Sequence, residues 1–205
     1  MSEQARGDVY LVRHAETAWS VTGQHTGRTD LPLTSHGEAQ ARKLHERLQG
    51  PHFAQVFCSP LQRAKRTCEL AGFGGVASLD PELTEWDYGD YEGRTLAQIQ
   101  AERPGWDLFR DGCPGGESVT QITERVDRVL SRVLAVEGTS LIFSSGHLLR
   151  VLAARWLGTD AELGRGLQLD AASVCVLSYD HNGTDRVIRL WNDAARETAL
   201  AIKRA

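Results

Sequence analysis

Val9-Tyr10-Leu11-Val12-Arg13-His14-Ala15-Glu16-Thr17 sets how the rest of the chain is read. Four apolar residues in a row read as a strand buried on both faces, and the run stops on an arginine and a histidine. Similar runs recur at Val56-Phe57-Cys58, Leu141-Ile142-Phe143, Val174-Cys175-Val176-Leu177 and Val187-Ile188-Arg189-Leu190. Helix signals fall between them. Ser35 with Glu38 forms a capping box that opens a helix to about Gln49. Ser59-Pro60 puts a cap residue before a proline at the first helical position, for a helix to about Leu70. Ser118 with Gln121 is another capping box. Val119, Ile122, Val126, Val129, Val133 and Leu134 then follow helical spacing. Leu148, Leu149, Leu152, Ala153 and Trp156 give a further amphipathic helix, and the glycines at 72–75 and 112–116 mark loops. Strands alternating with helices predict an α/β fold. It is a three-layer sandwich with a mostly parallel central sheet and helices on both faces.

The chain has 205 residues, which suits one domain over 1–205 with a sizeable core. It carries a net charge of -4, against the strong basic excess that phosphate-backbone binding requires, so no nucleic acid is expected as a partner. Arginine and histidine nevertheless gather in a few segments. A local basic pocket in an acidic protein suits a small anionic ligand. Cys58, Cys68, Cys113 and Cys175 form no C-x-x-C pair and no zinc spacing, so no metal site is expected. All four read as reduced, which points to the cytoplasm. Residues Met1 to Asp8 contain no apolar signal core, and no apolar run approaches a membrane span. The tail from Asn192 to Ala205 is helical in composition. It suits packing on the sheet or on a neighbouring chain, which leaves a homo-oligomer open.

Four segments carry chemistry, each following an apolar strand or opening a helix. In open α/β sheets the ligand crevice lies beyond the carboxyl ends of the strands, so residues far apart in sequence can meet there. In the first segment, a neutral His14 imidazole can attack phosphorus while the adjacent Arg13 binds phosphoryl oxygens. Alone, His14 reads more plainly as a strand-end histidine bonded to a backbone carbonyl. In the second, Arg63 sits in a first helical turn, a poor place for a cation unless an anion is bound there. A solvated surface arginine is the plainer alternative. In the third, Glu85-Trp86-Asp87-Tyr88-Gly89 interleaves carboxylates with aromatics, which suits a general acid. It reads equally as a turn-rich loop whose aromatics cover the core edge. In the fourth, Ser144-Ser145-Gly146-His147 leads a strand into a helix whose first turn is a second anion site. There His147 reads also as a helix-start histidine bonded to a neighbouring carbonyl.

Taken together, the four segments resemble the histidine phosphatase superfamily, the phosphoglycerate mutase-like proteins. The family's Arg-His-Gly signature is similar to Arg13-His14-Ala15, and its Glu-Thr-x-Trp stretch to Glu16-Thr17-Ala18-Trp19. Residues 23–34 resemble its substrate loop, Ser59 to Ala64 its second arginine motif, and Glu85 to Gly89 its general-acid motif. The resemblance implies a phosphoglycerate mutase-like fold. It makes His14 the nucleophile, Arg13 and Arg63 the phosphoryl clamp, and Glu85 the acid and then the base. Ser20 and the backbone near Thr26 and Gly27 would line the substrate side, and neither metal nor other cofactor is implied.

Two positions depart from the family pattern. Ala15 stands where the family has glycine, so its methyl is either tolerated or tightens the turn after His14. Ser145 stands where the family has its second histidine, which helps hold the phosphoryl group, and His147 follows just after the glycine. The substrate-binding set is therefore Ser20, Thr26, Gly27, Ser145 and His147, with an impaired hold unless His147 or a water compensates. The family's mutases usually carry longer insertions before the last strand, whereas the stretch from Gly93 to Leu141 is compact, and Glu85 to Gly93 and Gly112 to Ser118 look like the acid-phosphatase and sugar-phosphatase branch. The expected activity is hydrolysis of small phosphorylated metabolites. The alternatives are a cofactor-dependent phosphoglycerate mutase and an impaired binder of phosphorylated ligands. Trp19, His25, Trp86, Tyr88 and Trp106 are candidates for the pocket rim. Arg28, Arg94 and Arg110 are candidates for a second anionic group, with solvated surface as the plainer reading of each.

Overall fold

All five apolar runs lie in strands of one six-stranded sheet in the computed structural model, which describes residues 7–194. The strands are β1 (Val9–Arg13), β2 (Phe53–Cys58), β3 (Ala77–Leu79), β4 (Thr139–Ser144), β5 (Val174–Asp180) and β6 (Asp185–Asp193). Their order is β3-β2-β4-β1-β5-β6. The first four run parallel, and β5 and β6 are antiparallel to their neighbours. Sequence reading missed β3, because Ala77-Ser78-Leu79 is short and mostly exposed and carries no apolar run.

Side-chain alternation sorts the central strands onto two cores. Leu11, Ile142, Cys175 and Leu177 face one side; Val12, Leu141, Phe143 and Val174 face the other. The first core is covered by helices α6 (Val119–Leu134) and α7 (Gly146–Trp156) through Ile122, Val126, Leu149 and Trp156. The second is covered by α2 (Ser35–Arg47) and α3 (Gln62–Leu70) through Ala41, Leu44, Ala64 and Cys68. The result is the three-layer sandwich expected from the sequence. Shorter helices α1 (Ala18–Thr22), α4 (Leu96–Glu102) and α5 (Leu108–Asp111) lie in the connections.

Helix starts differ from expectation at two places. The cap of α2 is Thr34, whose hydroxyl accepts from Gly37 N–H at 2.9 Å. Ser35 is already helical, and Glu38 instead pairs with Arg42 and Arg66. Helix α3 begins at Gln62, not at Pro60. Leu61 remains extended, and the free Gln62 N–H donates to the Asp30 carboxylate at 2.8 Å, so a distant loop supplies the cap that Ser59 does not. The expected box at Ser118 and Gln121 is present.

The helical reading of the tail fails at Asn192 and Asp193, which end β6. Residues 195–205 lie outside the described residues, as do residues 1–6 of the N-terminal reading. All four cysteines are buried and free. No helix among the described residues is long and apolar enough to cross a membrane. Register aligns Arg13 with Ser144 and Cys58 with Phe143. Three of the four segments therefore leave the sheet at the same edge.

Candidate active site

Beyond that edge lies a cavity of about 410 Å³ bordered by Arg13, His14, Ser20, Thr26, Glu85 and His147. The parallel strands β1 and β4 deliver Arg13, His14 and the start of α7. The loop after β3 delivers Glu85, and the residues around α1 deliver Ser20 and Thr26. Arg63, Gly27 and Ser145 do not border the cavity. Of the rim candidates, His25, Tyr88 and Trp106 border it. Trp86 is fully buried and donates its indole N–H to the Glu117 carbonyl, and Trp19 packs over Gly93.

The His14 ring is nearly buried, at 4% exposure. Its Nδ1 lies 2.8 Å from the Ala15 carbonyl. A carbonyl only accepts, so Nδ1 carries the hydrogen and Nε2 keeps its lone pair. The carbonyl bond and the nucleophile reading are thus compatible, because the first prepares the second. Burial, then the charges of Arg63 and Arg13, push the imidazole well below its ordinary pKa and keep it neutral. Ala15 is itself fully buried, and its methyl packs in the core with Ala41 and Ala64. The methyl that departs from the family pattern is accommodated.

Two guanidinium charges act on this ring. Arg13 donates through Nη1 to the Leu169 carbonyl, and its Nε–H is buried with no partner. Gly146 permits this placement: a Cβ there would stand 3.2 Å from Arg13 Nε. Arg63 is fully buried, which excludes a solvated surface arginine. It donates to the carbonyls of Thr29, Thr26 and Gly27, each at 2.9 Å, and its Nε–H also has no partner. The loop carbonyls, not an anion alone, explain a cation in that first turn. Gly27 has no spare backbone group, since its N–H donates to the Glu92 carboxylate at 2.9 Å. A Cβ there would stand 2.6 Å from the Trp86 carbonyl, so only glycine fits. Buried N–H groups without partners are rare. Two on arginines whose charges both act on His14 favour an anion near that ring.

The start of α7 is already occupied. Glu85 accepts from His147 N–H through Oε2 at 2.9 Å and from Leu148 N–H through Oε1 at 2.8 Å. Oε1 also accepts from Trp86 N–H at 2.9 Å. The expected anion site at this helix terminus is thus filled by the protein's own carboxylate. Oε2 takes one bond and Oε1 two, which leaves Oε2 the freer oxygen for a molecule in the cavity. Ser145 caps α7 only by its backbone geometry; its hydroxyl is buried without a partner. The ring of His147 bonds to Tyr88, not to a carbonyl, with Nδ1 2.6 Å from the phenolic oxygen. The Ser20 hydroxyl closes the Thr17 capping box and donates to the Thr17 carbonyl at 2.9 Å.

Arg28, Arg94 and Arg110 lie outside the cavity, paired with Asp87, Glu102 and Asp111. Arg150 and Arg165 border it instead. Arg150 follows His147 by three residues on α7, a helical spacing that places both on one face. Arg165 lies in a 3-10 helix, Ala161–Gly166, that had no sequence signal. Among the described residues no group of histidine, cysteine, aspartate or glutamate is placed to hold a metal ion.

The profile of the histidine phosphatase superfamily (branch 1) matches residues 9–194. An acid phosphatase from Mycobacterium tuberculosis is 38% identical over 177 residues, covering 83% of this chain and 86% of that one. A sedoheptulose 1,7-bisphosphatase from Saccharomyces cerevisiae is 37% identical over 183 residues, covering 72% and 66%. A solved structure of a Mycobacterium tuberculosis open reading frame product superposes with a TM-score of 0.84 at 34% identity, covering 91% of this chain and 97% of that one. With the fold and the matching motifs, these place the chain in the histidine phosphatase superfamily, as a phosphoric monoester hydrolase.

Proposed function

We propose that this phosphatase works through a phosphohistidine on His14. The carrying observation is the His14 ring, neutral and with Nδ1 tied to the Ala15 carbonyl, beside two arginines whose Nε–H groups lack protein partners. His14 Nε2 attacks phosphorus, and the bond from phosphorus to the ester oxygen breaks. Glu85 Oε2 gives its proton to the leaving oxygen. Water, deprotonated by Glu85, then attacks phosphorus, frees His14 and yields inorganic phosphate. Arg13 and Arg63 offset the charge on the phosphoryl oxygens, so the scheme calls for neither metal nor cofactor. Ser20, Thr26 and His147 contact the substrate; Gly27 acts by shaping the loop that Arg63 holds.

Substrates are small phosphorylated metabolites, which the cavity of about 410 Å³ suits. The yeast relative makes phosphorylated sugars the first to try. We take residues 1–205 as one domain and place it in the cytoplasm, which fits four free thiols. The test is phosphate release from an aryl phosphate by the wild type and by His14→Ala, with acid-labile phosphoprotein trapped on the wild type alone. Equal release by both proteins sinks the His14 scheme. With 3-phosphoglycerate and a 2,3-bisphosphoglycerate primer, phosphate release should exceed formation of 2-phosphoglycerate; the reverse makes the chain a mutase.

A further inference from the structure

The His14 scheme leaves one wall of the cavity unexplained. The Ser145 side chain is fully buried and does not border the cavity. Two residues on, the His147 ring does border it, with about a quarter of the side chain exposed. It stacks on His25, with centroids 6.0 Å apart and planes within 8°, and meets the edge of Phe109 at 5.5 Å. Its Nδ1 is 2.6 Å from Tyr88 Oη and 4.0 Å from Glu85 Oε2.

The protons in this cluster can be placed. Burial and the charge of Glu85 push the Tyr88 phenol well above its ordinary pKa, so it keeps its hydrogen. Burial and the charges of Arg150, His25 and Arg13 push His147 well below its own, so it is neutral. Tyr88 Oη makes no other hydrogen bond among the described residues. A phenol that instead accepted from Nδ1–H would leave its own buried hydrogen unbonded, which is disfavoured. Tyr88 therefore donates to Nδ1, and the imidazole hydrogen sits on Nε2. With Nδ1 occupied, any bond from this ring to a molecule in the cavity runs through Nε2–H. The backbone of His147 holds the same Glu85 oxygen that is free to serve the substrate.

We propose that His147, fixed by Tyr88 in its Nε2–H tautomer, donates a neutral hydrogen bond to the phosphate ester on Glu85's side of the cavity. It thereby supplies a donor that the serine at position 145 does not. His147 touches the substrate, and Tyr88 is a positioning residue that acts through it. This inference rests on the phosphatase scheme for its catalytic part, but the tautomer does not depend on that scheme.

Two measurements test it. The first is the ¹⁵N NMR signature of His147 in the folded wild type, assigned with His147→Asn. An Nε2–H tautomer is expected, and an Nδ1–H tautomer overturns the inference whether or not the protein turns over substrate. The second is a double-mutant cycle on aryl phosphate hydrolysis. His147→Ala lowers kcat by about 10², the lower value for one lost transition-state donor. Tyr88→Phe lowers it on the order of tenfold, as for one hydrogen bond. The double variant is no slower than His147→Ala. His147→Asn, whose amide needs no tautomer lock, recovers part of kcat and is insensitive to Tyr88→Phe. Multiplicative losses, or an unchanged kcat in His147→Ala, overturn the proposal. A wild type that releases no phosphate sinks the phosphatase scheme instead, and the NMR result still decides the tautomer.

Discussion

The Leu148 backbone N–H donates to the Glu85 carboxylate at 2.8 Å, joining the acid loop to the helix that follows β4. Trp86 and His147 add two more N–H donors to the same group. Glu85, the acid of the proposed scheme, is therefore also held at the start of α7 by these backbone donors.

Glu85→Gln should lower kcat on aryl phosphates by about 10²–10⁴, the range for one general acid. The loss should shrink as the leaving phenol becomes more acidic, because a good leaving group needs no proton. A loss that is the same for every phenol removes Glu85 as the acid. The amide also turns an N–H₂ toward backbone donors, so the variant should lose about 1–3 kcal/mol of stability in urea titrations.

Arg63→Ala leaves the carbonyls of Thr26, Gly27 and Thr29 without their buried donor. We expect a loss of at least about 1–3 kcal/mol, together with a fall in kcat. Arg63→Lys should recover little of either, since an ammonium cannot reproduce the planar fork. Denaturant titrations and phosphate release on the same samples check both effects. Full activity in Arg63→Lys removes the clamp role.

Stability should fall on mild acidification. His14 and His147 are held well below the ordinary histidine value of 6.5, while the unfolded chain titrates near it. In the window below 6.5 the unfolded chain binds protons that the folded chain refuses. The contribution of these rings is complete above that value and is lost as pH drops through the window. Thermal melts from neutral to mildly acidic pH should show Tm decreasing, with a shallower slope in His14→Asn. An unaltered slope in that variant contradicts the shifted His14.

Ser145→His should raise kcat. The gain should stay below the roughly 10²–10³ that one oxyanion donor is worth, because His147 already serves that side. An unchanged or lower kcat with the fold intact means that position 145 gains nothing from an imidazole here.

The fold was legible in the sequence because strands buried on both faces are apolar, as the runs in β1, β4 and β5 state directly; the run in β6 marks a half-exposed edge strand. The box at Ser118 was legible for the same local reason: cap and partner lie three residues apart. Arg13 and His14 were legible because they end a strand that has to point at the crevice. The start of α3 was not, since its cap is Asp30, 32 residues away. Nor was the occupant of the α7 terminus, the Glu85 carboxylate, 62 residues before His147. Local propensity and periodicity act over a few residues, so the sequence alone determined most of the elements and the reactive residue types, but not β3 or the start of α3. The tautomer of His147, the burial of Arg63 and the withdrawal of Ser145 from the cavity depend on groups that only the folded chain brings within hydrogen-bond reach. Those were decided by tertiary packing, where burial sets which polar atoms must find partners and which are left for a ligand.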